Sequence, residues 1–253
     1  MALHTTIHLH NVPEGREQDY ADWFDGDHRG AVSALRGFRA VERYQVAEHQ
    51  IMPDIPQPWR YVSVYDFDLP SPQIDIPALG PLIADARDAG MICDNDTEKL
   101  YTYALYGDWK FSGNLHPDKP FSGIFLILAN YVPGMFEEYQ QWYEEVHSVE
   151  VAASPGMVGM KRGCLAATQI EPRHYCPGDQ LVMCAQQTDD LLFTVREFSA
   201  RARGASPSGI AMEPRSKSGS IARTVHFFTK VSGEQFWADG IAYDGDMSVY
   251  DRP

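Results

Sequence analysis

The sequence lacks an excess of basic residues. Of its 253 residues, 21 are Lys or Arg and 35 are Asp or Glu, which gives a formal net charge of −14 at pH 7. Nucleic acids and anionic membranes bind through positive protein surfaces, so this composition argues against both partners. The longest apolar run, at 124–129, is far too short to cross a bilayer. The first residues show no basic or long apolar segment of an export signal, so we expect a cytoplasmic protein.

Cysteine is scarce, and several familiar catalytic motifs are missing. The four cysteines form no CxxC pair and fit no zinc-ligand spacing, which favours reduced thiols. The sequence also has no glycine-rich dinucleotide fingerprint, P-loop, GxSxG elbow or HExxH motif. Nicotinamide, ATP and serine-hydrolase chemistry therefore have no support, and we predict a protein without an organic cofactor.

What the sequence does contain is an internal repeat. Residues 6–44 align without a gap with residues 125–163, each residue matching the one 119 positions later. Chance does not readily place a Trp, a His, a Gly and an Arg in one register. The identical pairs include Asn11 and Asn130, Gly15 and Gly134, Tyr20 and Tyr139, Trp23 and Trp142, His28 and His147, Gly37 and Gly156, and Arg43 and Arg162.

Each repeat predicts the same order of elements. An alternating strand (5–10; 124–129) leads through a turn into an amphipathic helix that a glycine ends, at Gly37 or Gly156. Two strands, a less regular helix and a last strand follow. They are predicted at 38–46, 60–67, 76–89 and 100–106 in the first copy, and at 157–166, 180–186, 189–202 and 222–229 in the second. The order β-α-β-β-α-β is that of a ferredoxin-like unit.

The repeat also predicts the domain organisation. We assign a first ferredoxin-like repeat to residues 1–108 and a second to residues 122–231. A polar, turn-rich linker at 109–121 joins them. The acidic tail at 232–253 contains Trp237, Tyr243 and Tyr250, so we expect it to fold over the core or a partner.

The string formed by Trp23, Phe24 and His28, followed by Gly37 and Arg43, resembles the dimeric α/β-barrel superfamily and its EthD-like members. In that superfamily, two ferredoxin-like units join their four-stranded sheets into one eight-stranded barrel. The resemblance implies an α+β fold in which a tandem fusion places this pseudo-dimer in one chain. The fused barrel needs no partner to close, so the sequence is compatible with either a monomer or a homodimer.

Strand alternation predicts which side chains face the barrel interior. Ile7 and Leu9 match Leu126 and Leu128, and we assign this aliphatic parity to the face beneath the helices. The opposite parity then lines the interior. It carries His8, His10, Tyr61, Ser63 and Tyr65 in the first repeat, and Phe125, Ile127, Ala129, Val182 and Cys184 in the second. One polar and one apolar wall predict a site for a small aromatic substrate, with an ordinary filled core as the alternative.

The histidines are the candidate catalytic residues. His8 and His10 put two imidazoles on one strand face, which suits acid–base chemistry or, with a further ligand, metal binding. No carboxylate shares that predicted face, so we predict no metal. His28 and His147 lie near the apolar stripes of matching helices, where a shared structural role and a catalytic role both stay open. His28, on the polar half, is the better catalytic candidate.

The remaining candidates concern substrate binding. An Arg43 side chain facing inward would hold a substrate carboxylate, whereas its alternative role is an ion pair with an acidic neighbour. Tyr44 has no polar counterpart in the second repeat, where Gly163 takes its place, and this adds to the asymmetry. Ser63, Phe125 and Ile127 complete the predicted binding site.

Together these residues predict a cofactor-independent lyase of the decarboxylase type, acting on an aromatic or phenolic acid. One imidazole, from His8, His10 or His28, would act as general acid or base, and Tyr61 or Tyr65 would bind or ionise a phenol.

The resemblance leaves several other functions open, because one fold hosts many reactions. The alternatives are an oxygen-using monooxygenase or a haem enzyme of the same fold, a polyketide-type cyclase or isomerase, and a ligand-binding protein without catalysis. Haem stays open because a barrel-type haem site needs only one well-placed His and an apolar pocket.

Overall fold

A computed structural model describes residues 2–55, 57–93, 97–171, 176–206 and 208–231. The tail predicted at 232–253 lies outside these residues. The strands of the first unit are β1 (Leu3–His10), β2 (Phe38–Val46), β3 (Tyr61–Asp68) and β4 (Lys99–Leu105). A short β5 (Lys110–Phe111) precedes the second unit, which contains β6 (Gly123–Tyr131), β7 (Met157–Leu165), β8 (Gln180–Gln186) and β9 (Gly219–Lys230).

The first helical segment of each unit contains a π turn at the same place. In the first unit α1 (Glu17–Trp23) runs through a π turn (Phe24–His28) into α2 (Arg29–Ser33). In the second unit, α5 (Phe136–Trp142) runs through a π turn (Tyr143–His147) into α6 (Ser148–Ala152) in the same way. Single π turns within α-helices frequently occur at functional sites.

The second helical segment differs between the units. In the first unit α3 (Pro72–Asp75), a 3₁₀ turn (Ile76–Leu79) and α4 (Gly80–Asp88) follow one another. In the second, a single α7 (Leu191–Ala202) is capped by Asp190, whose side chain accepts a hydrogen bond from the Phe193 N–H. Within the described part of the chain, no helix is long and apolar enough to span a membrane.

Gly37 confirms the predicted end of the first helical segment. Its φ is +76°, a left-handed conformation that glycine adopts without steric cost. A Cβ atom there would lie 2.3 Å from the Asp68 carbonyl oxygen, so no other residue fits. Gly156 has a φ of +79° and ends the matching segment of the second unit.

The strands close into one antiparallel eight-stranded barrel in the order β4-β1-β3-β2-β9-β6-β8-β7, and β4 pairs again with β7. Each unit thus supplies four neighbouring strands, and the β2–β9 and β4–β7 pairings join the two halves. The predicted fold is confirmed. The predicted linker is more structured than expected, because β5 pairs with β7 and Phe121 packs against Val158.

The barrel interior contains a packed apolar cluster beside a buried Lys161–Asp66 ion pair, which contradicts the predicted strand parity. Ile7, Leu9, Leu126 and Leu128 belong to one buried cluster that draws on the strands of both units. Tyr44 lies in the same cluster, where its hydroxyl donates to Glu42 at 2.5 Å. Side chains commonly fill the interior of an eight-stranded barrel. The opposite parity therefore faces outward, beneath the helices of each unit.

Candidate functional site

The predicted polar residues lie together, although not in the barrel interior. Tyr61 and Tyr65 pack in a cluster with Tyr20 and Phe24, which belong to the first helical segment. The space between sheet and helices of the first unit, which we call the first interface, also contains His8, His10 and Ser63. All the predicted polar residues at this interface are buried. The prediction that they face a lumen was wrong, because the aliphatic rows of the two units pack against each other there instead.

At the first interface His8 is bonded to the Glu98–Arg87 ion pair. Its Nε2 lies 2.5 Å from Glu98 Oε1, and Glu98 also accepts two hydrogen bonds from Arg87 Nε, at 2.8 and 3.0 Å. Burial raises the pKa of Glu98, but the hydrogen bonds from His8 and Arg87 outweigh it and leave that pKa below its usual value. Glu98 is therefore ionised at neutral pH and fixes the His8 ring.

His10 is neutral, and its tautomer follows from its partners. Nδ1 donates to the His8 carbonyl oxygen at 2.9 Å, so Nε2 accepts from the Tyr20 hydroxyl at 2.7 Å. Burial and the neighbouring His8 lower the pKa of His10 well below its ordinary value. Burial raises the pKa of Tyr20, whose hydroxyl also lies 3.3 Å from Ser63 Oγ.

His28 is bonded and enclosed in the same way. Its Nε2 lies 3.0 Å from the Tyr65 hydroxyl, and its ring stacks near Trp23 at a centroid distance of 4.4 Å. Burial lowers the pKa of His28 to about 3. With His8 and His10 at 0% exposure and His28 at 3%, these imidazoles are closed to solvent. Although His8 Nδ1 makes no hydrogen bond within the described residues, this enclosed network suits a structural role better than a site that a substrate enters.

Arg43 forms an ion pair that has an equivalent in the second unit. Its Nη2 lies 3.2 Å from Asp25 Oδ2, and its guanidinium lies over the Tyr20 ring at 5.3 Å. In the second unit Arg162 pairs with Glu144 at 2.8 Å in the same manner. A contact repeated in both units indicates a structural role, which was the alternative to carboxylate binding.

The second unit has a cavity of about 300 Å³ between its sheet and helices, which we call the second interface. The predicted wall residues Phe125, Ile127 and Ala129 line it, together with Trp142, Tyr143, His147, Phe198, Met212 and Val225. Val182 and Cys184 are buried in the adjoining apolar cluster. These apolar residues thus lie together, but they face the helices of their own unit rather than the polar residues of the first unit.

His147 differs from its counterpart His28 in three ways. Cys184 takes the place of Tyr65, so His147 has no phenol partner there. The side chain of His147 borders the cavity and is 23% exposed. Glu150 takes the place of Ala31, and its Oε2 lies 3.8 Å from His147 Nδ1.

The surroundings of His147 favour its neutral form, but Glu150 reduces the cost of protonating it. Burial lowers the pKa of His147, and Glu150 opposes this effect. Its ring stacks on Trp142 at 4.4 Å with an interplanar angle of 12°, which fixes its plane. Such an imidazole can take up a proton, because Glu150 stabilises the cation that forms.

Charged residues stand at the rim of the cavity. Arg203, Glu213 and Arg215 line it, and the nearby charge of Arg215 also lowers the pKa of His147. Sequence reasoning weighed His147 but missed Glu150 and these rim residues. The contrast between Glu150 and Ala31 in the aligned repeats was the available signal for the carboxylate.

The second interface does not fit a large cofactor. A volume of about 300 Å³ is at the lower end for ligand pockets and suits one or two fused rings rather than a haem macrocycle. The flat stacking of His147 on Trp142 also restricts the ring to one plane. Across the described ranges, no three His, Cys, Asp or Glu side chains are grouped to hold a metal ion.

No protein-family model matches the sequence, and no curated protein is significantly similar to it. Solved structures share its fold. A candidate monooxygenase from Fusobacterium nucleatum has a TM-score of 0.54 at 7% identity, covering 91% of this chain and 93% of its own. A candidate monooxygenase from Lactobacillus acidophilus scores 0.50 at 11% identity, with coverage of 91% and 94%. A mutant chlorite dismutase from Candidatus Nitrospira defluvii scores 0.52 at 6% identity, with 91% of each chain covered.

At these identities the comparisons speak to the fold alone. In this chain that fold is a closed eight-stranded barrel built from two β-α-β-β-α-β units. The chain therefore has the dimeric α/β-barrel fold, with both ferredoxin-like units in one polypeptide.

Proposed function

We propose that this chain is an enzyme that binds a small aromatic or phenolic acid at the second interface and uses His147 as its acid–base residue, without an organic cofactor. The contrast between His28 and His147 carries the proposal. His28 is enclosed and bonded to Tyr65, whereas His147 borders a cavity and has a carboxylate beside it. The same helix position thus holds a structural histidine, His28, in the first unit and a histidine that a ligand can reach, His147, in the second.

The cavity lining supports the substrate class. Aromatic walls from Phe125, Trp142 and Phe198 suit a flat ring. A phenolic hydroxyl on that ring would give His147 the hydrogen bond that Tyr65 gives His28. Arg203 and Arg215 add positive charge at the rim, which favours a substrate anion in a chain whose net charge is −14.

The reaction that we propose first is decarboxylation. Neutral His147 accepts the phenol proton, and the ring oxygen donates electrons towards an unsaturated side chain, whose carbon next to the carboxylate takes a proton from solvent. The C–CO₂ bond then breaks, the electron pair returns to the ring, and His147 gives the proton back to the phenolate. The balance consumes one solvent proton and releases CO₂. General acid–base help of this kind contributes roughly 10²–10⁴-fold.

Oxygenation is the second candidate, and the likeness in fold to two candidate monooxygenases favours it. A substrate deprotonated by His147 is electron-rich enough to react with O₂. A ring CH₂ then becomes C=O, and the second oxygen atom leaves as water, so the substrate supplies all the electrons. This route needs a base and an apolar cavity, both of which the second interface has.

The test is a screen of phenolic acids and related ring ketones that records CO₂ release and O₂ consumption together. We expect His147→Gln to lower kcat by about 10²–10⁴-fold, while His28→Gln retains turnover. Full turnover by His147→Gln would refute the proposal. Binding without any turnover would identify a binding protein, and a Soret band in the purified chain would contradict the cofactor-independent mechanism.

A further inference from the structure

We infer that Glu150 is the positioning residue of His147 and that the backbone N–H of Glu213 holds Glu150 in place. The loop that forms the cavity rim therefore also orients the base. This inference rests on the proposed function, in which His147 accepts a proton from the substrate.

The two oxygens of Glu150 have different surroundings. Oε1 accepts a hydrogen bond from the Glu213 backbone N–H. Oε2 is buried, makes no hydrogen bond within the described residues, and lies 3.8 Å from His147 Nδ1. A carboxylate fixed at one oxygen presents the other as a stationary negative charge. A buried oxygen without a donor gains most when the imidazole beside it becomes a cation.

Comparison of the repeats shows that this carboxylate belongs to the second unit. Ala31 takes its place on α2, and there burial lowers the pKa of His28 to about 3. At His147, burial again lowers the pKa, but Glu150 opposes it. The first unit thus has the same histidine without the group that would stabilise its protonated form.

The other charges facing His147 come from different elements. Arg162 lies on β7 and Arg215 on the segment before β9, and both lower the pKa of His147. Glu150, on α6, is the acidic neighbour that raises it. Burial, with a smaller contribution from the two arginines, outweighs Glu150 and leaves His147 neutral at rest. The position of Glu150 therefore decides how readily the ring accepts a proton.

The anchor of Glu150 lies in the loop between α7 and β9. Arg203, Glu213 and Arg215 line the cavity from this loop, and Glu213 provides the N–H that fixes Glu150. A ligand anion drawn to the arginines therefore acts on the same loop that sets the carboxylate. Substrate binding and the basicity of His147 are coupled through one backbone hydrogen bond.

The test is an NMR titration of the His147 imidazole in the whole chain, without substrate. We expect Glu150→Gln to lower the pKa of His147 by about 1 unit, because an opposite charge at this distance is removed. Glu145→Gln is the matched control, since Glu145 is exposed in the same helical segment and bonds Gln141. An unchanged His147 pKa in Glu150→Gln would overturn the inference.

Two further measurements separate this inference from the proposed function. Glu213→Pro removes the anchoring N–H and should lower the His147 pKa in the same direction, which also serves if Glu150→Gln does not fold. In kinetics, Glu150→Gln should lower kcat with little change in KM and move the acidic limb of the pH profile to lower pH. If His147→Gln keeps full turnover while the NMR shift is present, the proposed function fails, but the positioning of His147 by Glu150 stands.

Discussion

A buried, neutral imidazole makes the free energy of unfolding depend on pH, and we expect His28 to show this effect. Burial lowers the pKa of His28 from 6.5 to about 3, so the folded chain keeps it neutral at pH 5. In the unfolded chain the same imidazole takes up a proton near pH 6.5. Acid therefore favours the unfolded state. The associated stability is present above pH 6.5 and is lost as the pH falls towards 3.

The size of the effect follows from the distance in pH. Each unit below 6.5 costs about 1.4 kcal/mol of unfolding free energy for one such group. At pH 5, about 1.5 units lower, His28 alone reduces the free energy of unfolding by about 2 kcal/mol relative to pH 7. Any folded pKa below about 4 gives the same figure, because the folded state then binds almost no proton at pH 5.

The assay is urea unfolding of the natural chain and of His28→Gln at pH 7 and at pH 5. Glutamine keeps a hydrogen-bonding group near Tyr65 but does not titrate. The drop in unfolding free energy between the two pH values should be about 2 kcal/mol smaller in the variant. An equal drop in both would refute the view of His28 as a buried, neutral residue.

Two more predictions address the cavity and the barrel interior. Ala129 lines the second interface, so Ala129→Phe should fill part of the cavity and raise KM by about tenfold or more, with unfolding free energy as the control for folding. An unchanged KM would contradict the location of the site. Leu126 is fully buried in the barrel interior, so Leu126→Ala should lower the unfolding free energy by about 2–5 kcal/mol in urea. A change in KM without loss of stability would instead indicate a binding site in the lumen.

The sequence predicted the fold well because the repeat supplied two independent copies of every element. The strands predicted at 38–46 and 180–186 are observed with the same bounds. Other ends shifted by a few residues, as helix and strand termini commonly do. The π turns were not predicted, because their side-chain pattern is close to that of an ordinary helix over one turn.

The face of each strand was harder to predict, because both faces are buried. Ile7 and Leu9 are as suitable for a barrel core as for a surface beneath helices. Once the aliphatic row is placed beneath the helices, strand alternation places the polar row in the interior, where its histidines still need hydrogen-bond partners. In the structure, Tyr20 from α1, Tyr65 from β3 and Glu98 next to β4 supply those partners.

A physical signal for the correct parity was nevertheless present in the repeats. Rows that are aliphatic in both units, such as Ile7 and Leu128, can pack against each other across the pseudo-twofold axis without leaving a polar group unpaired. Rows that differ, such as His8 and Ile127, would place imidazoles against hydrocarbon there, at a desolvation cost. The buried face of the first helical segment carries Tyr20 and His28, whose hydroxyl and imidazole groups can bond the polar strand residues.

The difference between the strand rows also explains why the cavity lies in the second unit, whose row is apolar. Tyr20, Trp23 and His28 recur in the second unit, so the space beneath the helices depends on the strand residues. Imidazoles at His8 and His10 occupy it in the first unit and bond its hydroxyl and carboxylate groups. Ile127 and Ala129 leave room in the second. Apolar strand residues thus leave the second interface open and its helix histidine without a phenol partner, and Glu150 lies beside that histidine, as the proposed base requires.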